Sequence, residues 1–262
     1  MTASAEPGAQ PLRVWRDRDG KLLRLRLSRP KANIVDAAMI RALDGALVEA
    51  ASDAHLRAVL LDAEGPHFSF GASVEEHLAP RCGEMLQTLH CLILRMLEYP
   101  VPILVAIQGQ CLGGGLELAT AGHLLFATPD CRLGQPEIQL AVFPPAASCL
   151  LPERIGIAMA EDLIYSGRSI TGEESLRIGL VNAVASDSVA AALAYYDEHL
   201  AKRSASTLRL ATRAVRSEMV ERVRTKLMRL EKLYLTELMN THDATEGLNS
   251  FLQKRDSVWE DR

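Results

Sequence analysis

Ala106-Ile107-Gln108-Gly109-Gln110-Cys111-Leu112-Gly113-Gly114-Gly115-Leu116-Glu117-Leu118-Ala119 decides how the rest of this chain is read. An apolar, β-rich run (Pro102 to Ile107) leads through three successive glycines into a segment of helical composition, Leu116 to Ala121. Phosphate cradles are the first possibility to test. A dinucleotide fingerprint starting at Gly113 needs glycine where Leu118 stands, and a P-loop starting at Gly109 needs lysine where Gly115 stands, so neither is present. The glycines do let a ligand atom approach backbone N–H groups at the start of a helix. Those groups have no helical partner, and the helix dipole there favours developing negative charge. That describes an oxyanion site. Tight helix–strand packing would explain the glycines equally well.

Glu117 sits one turn into this helix, within an apolar run. A carboxylate there loses several kcal/mol of hydration unless it is paired or put to use. Glu137 repeats the theme twenty residues on, in Gly134-Gln135-Pro136-Glu137-Ile138. Two carboxyls in apolar surroundings, beside a place for developing charge, suit acid–base chemistry if their environments move their pKa values apart. Either one alone could equally be a buried ion-pair partner. Upstream, Ser69-Phe70-Gly71-Ala72-Ser73 offers a weaker signal for a second backbone donor.

The flanking pattern is α/β. Leu12 to Leu27 alternates around an Asp19-Gly20 turn, which predicts a hairpin with one solvated face. Asp36 should cap a helix carrying Ile40, Leu43, Leu47 and Ala50. Arg57 to Leu61 and His123 to Thr128 read as strands, and Gly83 to Leu97 as a helix. Beyond Pro152 the periodicity is helical: Ile155 to Tyr165, Gly172 to Ile178, Asp187 to Lys202, Ala205 to Glu218, Val220 to Met239 and Thr241 to Arg255. Residues 1–10 read as a disordered tail, 11–200 as an α/β core and 201–262 as a helical region. The apolar face Val223, Leu227, Leu230, Leu233 and Leu238 would serve either core packing or a subunit interface.

Composition narrows the function. Lys plus Arg is 29 and Asp plus Glu is 33 in 262 residues, so no bulk positive charge marks a nucleic-acid partner. No apolar run is long enough for a membrane span. Five cysteines form no C-x-x-C pair, and all but Cys82 lie in apolar runs, which suits a reducing cytoplasm. The histidines show no metal-ligand spacing, and no G-x-S-x-G elbow occurs.

Taken in order, Gly65-Pro66-His67-Phe68-Ser69-Phe70-Gly71-Ala72-Ser73-Val74, the Ala106–Ala119 stretch, Leu133-Gly134-Gln135-Pro136-Glu137-Ile138, and Glu246-Gly247 with Phe251 to Arg255 resemble the signatures of the crotonase (enoyl-CoA hydratase/isomerase) family. The resemblance spans about residues 12 to 260. It implies a crotonase-like α/β spiral of ββα repeats with a C-terminal helical region that forms trimers or dimers of trimers. It also implies an acyl-CoA thioester substrate whose coenzyme A is the only cofactor-like group, with no metal. On that basis Ala72 and Gly114 would supply the oxyanion N–H groups, and Glu117 and Glu137 would be catalytic. Lys31, Ala32, Phe70 and Val74 would line the CoA path, with Phe251 and Lys254 approaching its nucleotide end from a neighbouring subunit.

The chain departs from the family pattern at two places. Ser73 stands where many members have Asp, and Phe143-Pro144-Pro145-Ala146-Ala147-Ser148 replaces a glycine-rich stretch. The prolines fix φ and lack N–H groups beside the second glutamate, so Phe143, Pro144 and Pro145 should shape a different acyl pocket. Together with Ser69-Phe70-Gly71-Ala72-Ser73-Val74-Glu75-Glu76-His77, they most resemble the branch of the family that hydrates a cyclic dienoyl-CoA in anaerobic aromatic degradation. A general 2-enoyl-CoA hydratase or isomerase is the alternative within the family. A non-catalytic CoA- or RNA-binding member is the alternative outside catalysis.

Overall fold

The computed structural model describes residues 10–262; the expectation of a disordered tail therefore lies, except for Gln10, outside the described residues. Six strands form the main sheet: β1 (Leu12–Asp17), β2 (Leu22–Leu27), β3 (Ala58–Ala63), β4 (Ile103–Ile107), β6 (Leu124–Ala127) and β9 (Ala183–Val184), in the order β1-β2-β3-β4-β6-β9. The β1–β2 pair is antiparallel, and every later pairing in this sheet is parallel. Parallel strands are covered on both faces and read as continuous apolar runs, as β3 and β4 do along their whole buried length. Val59 and Leu61 face the main core, while Ala58 and Leu60 face a second cluster with Ala192 of α6 (Ser188–Tyr195).

The hairpin forms as expected, with Arg13 of its second face exposed, but that face is closed over at Arg24. Arg24 is buried and donates to Asp62 at 2.7 Å; Asp62 is fully buried and also takes Arg26. The alternating Leu-Arg-Leu-Arg-Leu of β2 thus hides a paired charge where sequence periodicity predicts water. Asp36 caps α1 (Ala37–Ala50) by accepting from Met39 N, and the predicted apolar positions are buried.

A smaller sheet of β5 (Gln110–Leu112), β7 (Arg132–Gly134) and β8 (Ser169–Thr171) carries the glycine turn and the loop ahead of Glu137. Between these sheets and the periphery lie α2 (Cys82–Leu97), α3 (Gly114–Ala121), α4 (Pro145–Ser166), α5 (Gly172–Arg177), α7 (Ala205–Thr236) and α8 (His242–Gln253).

Three expectations need correction. Helix α4 begins at Pro145, ten residues before the predicted Ile155. Pro145 takes the first helical position, where no N–H is needed, and the chain passes Pro152 and kinks at Gly156, whose φ is 74°. The predicted break between Glu218 and Val220 is absent, because nothing there stops a helix, and α7 runs unbroken for 32 residues. The cysteine reading is inverted at two positions: Cys82 is buried and Cys91 is exposed, because an apolar run in sequence still presents one residue to the outer side of α2. Val220, Val223 and Leu227 of α7 join the main core, so core packing accounts for much of that apolar face. No helix among the described residues is long and apolar enough to cross a membrane.

Candidate active site

The glycine turn places two backbone N–H groups side by side. Gly113 has φ 50° and ends β5, and Gly114 opens α3. A Cβ added to Gly114 would lie 3.0 Å from Ala72 N, so the two residues are in close backbone approach, and among the described residues neither amide makes a hydrogen bond to another loop. Ala72 follows Gly71 in a loop tied to the chain around Val35 through Val35 N to Gly71 O, at 2.9 Å. A Cβ on Gly113 would come within 2.6 Å of Glu137 Oε1, so the absent side chain is what makes room for that carboxyl. The predicted oxyanion residues Ala72 and Gly114 are therefore adjacent, and Glu137 sits against the same turn.

Both glutamates border one cavity of about 480 Å³. Its wall is mostly apolar, with Leu86 and Leu89 from α2, Val142, Phe143, Pro144 and Pro145 ahead of and entering α4, and Leu248 and Phe251 from α8. Glu117 is buried, and its Oε1 accepts from Ala147 N at 2.8 Å. Ala146 and Ala147 are the second and third residues of α4, so the free N–H groups of that helix's first turn converge on this carboxyl. The two prolines thus do the reverse of what their chemistry in isolation predicts. They open a helix whose next two amides hold Glu117.

Burial raises the Glu117 pKa to about 7, with the Ala147 and Ala146 amides pulling it back down. Burial raises Glu137 well above the carboxylate range, and the nearby charge of Glu117 pushes it further. One negative charge in this pair is favoured over two, and it rests on Glu117, the carboxyl with the helix amides. Glu137 keeps its proton. The buried Gln135 amide lies against Glu137: with its nitrogen inward it reaches Oε1 at 3.1 Å and Oε2 at 3.0 Å. With its oxygen inward, it accepts from the protonated carboxyl, so Gln135 can hold Glu137 in either protonation state.

Phe70, Val74, Phe143, Pro144 and Pro145 line the cavity, and so does Phe251, which the sequence reading assigned to the nucleotide end from a neighbouring subunit. Phe251 does so from its own chain: α8 packs over the 3₁₀ turn Pro136–Leu140, where a Cβ on Gly247 would lie 2.2 Å from Leu140 O. Lys31, Ala32 and Lys254 are not in the wall. Lys31 and Lys254 are exposed, and Ala32 stands behind Phe70 by accepting its N–H at 2.9 Å. Gln135 and His77 escaped the sequence reading. Their only signal was position, two residues before Glu137 and five after Ala72.

The adjacent amides, the two carboxyls and the apolar cavity form one site, and the chain's sequence and fold are similar to those of known proteins. The sequence pattern of the enoyl-CoA hydratase/isomerase family matches residues 17–262, and the chain belongs to that family. It is 63% identical over 254 residues to cyclohexa-1,5-dienecarbonyl-CoA hydratase of Thauera aromatica, covering 97% of this chain and 98% of that one. A solved enoyl-CoA hydratase/isomerase from Pseudoalteromonas atlantica T6c superposes with a TM-score of 0.82 at 27% identity, covering 95% of this chain and 99% of that one. An enoyl-CoA hydratase structure from Mycobacterium avium subsp. paratuberculosis K-10 shares the fold, with a TM-score of 0.84 at 22% identity and coverage of 96% and 99%.

Proposed function

We propose that this chain is a hydro-lyase that adds water to cyclohexa-1,5-diene-1-carbonyl-CoA, giving 6-hydroxycyclohex-1-ene-1-carbonyl-CoA. The observation that carries the reading is geometric: Glu117, held by the first amides of α4, and Glu137, against Gly113, border one apolar cavity beside Ala72 and Gly114, and burial raises both carboxyls. The 63% identity to the Thauera enzyme supports the cyclic substrate.

The thioester carbonyl oxygen accepts from Ala72 N–H and Gly114 N–H. Glu117 takes one proton from water as its oxygen bonds to the ring carbon β to the carbonyl. The π electrons of that double bond move onto the thioester, forming a dienolate whose negative oxygen the two amides stabilise. Glu137 then gives its proton to the far end of the dienolate, across the ring. The electrons return, leaving one double bond conjugated with the thioester. Atoms balance as substrate plus water, and no metal or redox group enters. The proton lands on a ring carbon remote from the α-carbon, which gives the proline-shaped wall a purpose: it must fit a six-membered ring.

We further infer a homo-oligomer, a trimer or dimer of trimers, in the cytoplasm. Large apolar side chains on the outer faces of α4 and α7 support the assembly, among them Val215 (84% exposed) and Tyr165 (69% exposed). Five free thiols suit a reducing compartment. Light scattering on the purified protein tests the assembly.

The activity test compares hydration of cyclohexa-1,5-diene-1-carbonyl-CoA and crotonyl-CoA by the same preparation. Preference for the cyclic diene supports the reading. Preference for crotonyl-CoA makes the chain a general 2-enoyl-CoA hydratase and overturns the ring-shaped pocket.

A further inference from the structure

We propose that His77 is a specificity-determining residue that accepts a hydrogen bond, through Nε2, from the O–H that the attacking water keeps and the product carries. His77 ends the 3₁₀ turn Val74–His77 and borders the same cavity as Glu117 and Glu137. Its Nδ1 lies 2.8 Å from Ser73 O. A carbonyl oxygen can only accept, so Nδ1 carries the proton, and in the neutral ring Nε2 is a bare acceptor. Among the described residues Nε2 makes no hydrogen bond, and it is not among the fully buried unpaired atoms. Burial lowers the His77 pKa, which favours the neutral ring and its bare Nε2.

The inference rests on the hydratase reading of this site, because hydration creates an O–H donor inside a mostly apolar wall. Water brings two protons. Glu117 takes one and then becomes a donor itself, while the second stays on oxygen and needs an acceptor. The amides of Ala72 and Gly114 are donors, and Leu86, Leu89, Val142, Phe143, Pro144 and Pro145 offer nothing polar from their side chains. The Gln139 side chain donates to Gly167 O. Ser73, Glu75 and Gln139 also border the cavity with acceptor oxygens, but Glu75 is exposed, and His77 Nε2 is the neutral ring acceptor of the wall that makes no hydrogen bond among the described residues. Ser73 shares in the arrangement, since its carbonyl sets the tautomer.

The test measures binding of two ligand pairs to the full chain by calorimetry. One pair is 6-hydroxycyclohex-1-ene-1-carbonyl-CoA with cyclohex-1-ene-1-carbonyl-CoA; the other is 3-hydroxybutyryl-CoA with butyryl-CoA. The pair that matches the substrate hydrated by the wild-type protein is the one compared. His77→Leu should weaken the hydroxylated member about tenfold while leaving the deoxy member within about twofold. His77→Gln, which keeps an acceptor, should recover most of the loss. Equal loss for both members, or none for either, overturns the role of His77. A wild-type preference for crotonyl-CoA overturns the cyclic substrate but not His77, which is then read from the second pair.

Discussion

Ala147 N donates to Glu117 Oε1 at 2.8 Å across thirty residues of chain, so the start of α4 and the second turn position of α3 are fastened at the carboxylate itself. This bond distinguishes the two glutamates. Without it, two carboxyls in one apolar cavity would compete for the proton on nearly equal terms; with it, the charge has an address.

Replacing either carboxyl by its amide removes a proton-transfer group and keeps its shape. Glu117→Gln and Glu137→Gln should each lower kcat by about 10²–10⁴-fold with a much smaller change in CoA-ester affinity. Steady-state kinetics with a binding titration on the same variants checks this. Unchanged turnover in both would sink the two-carboxyl mechanism.

The pH profile follows from the same asymmetry. Glu117 must be ionised, and burial raises its pKa to about 7. Glu137 must be protonated, and burial together with Glu117 raises it well above the carboxylate range. Activity should therefore climb as pH passes through about 7 and decline at higher pH, as Glu137 ionises. The two limbs belong to the pair jointly. An acidic plateau below pH 5 in kcat/KM would contradict the assignment.

At Glu137 the amide substitution should cost activity and add stability. A carboxyl whose folded pKa is raised binds its proton more tightly in the native state than in the unfolded one. Its stabilising contribution is therefore complete below the unfolded carboxylate pKa and is lost as pH rises towards the folded value. Glu137→Gln removes that loss, so the variant should melt higher than the wild type at pH 8 and show a smaller difference at pH 5. Thermal denaturation at the two pH values reads it.

Tyr234 lies beneath this cavity wall, buried, with its ring at 5.3 Å from the Phe143 ring in an edge-on contact. Its hydroxyl has no hydrogen-bond partner among the described residues. An unsatisfied buried hydroxyl costs about 1–3 kcal/mol, so Tyr234→Phe should keep the aromatic contact and raise the melting temperature by a few degrees. A fall of several degrees would mean that the hydroxyl has a partner that matters.

What the sequence made legible was local backbone chemistry. Gly113 to Glu117 spells out a strand, a tight turn and a helix start within a few residues, and Ala72 follows a glycine in a comparable loop. Contacts between distant segments were hidden. Pro144-Pro145 reads as a loss of donors until α4 is seen to begin there and aim its next two amides at Glu117. Arg24 reads as solvent-facing until Asp62 of the neighbouring strand is found beneath it. Gln135 and His77 carry no signal beyond adjacency, because an amide and an imidazole acquire their roles from what a folded cavity places opposite them. The unbroken α7 was missed for a different reason: its polar residues hide the continuity of a helix that only half touches the core.

Helix α4 grips α3 a second time. Arg154 donates to Thr120 O at 2.8 Å and also to Gly122 O, closing the far end of the short helix that opens at Gly114. One joint between two helices therefore holds the Gly114 amide and the Glu117 carboxyl at a fixed separation. Most of the cavity wall rides elsewhere, with Leu86 and Leu89 on α2, His77 on its 3₁₀ turn and Phe251 on α8; Pro145 is the wall residue that α4 itself supplies. Heritable change can therefore recut the shape of the cargo bay while the machinery behind it keeps its alignment. In such a scaffold, new substrates are reached by exchanging walls, and the chemistry is inherited intact.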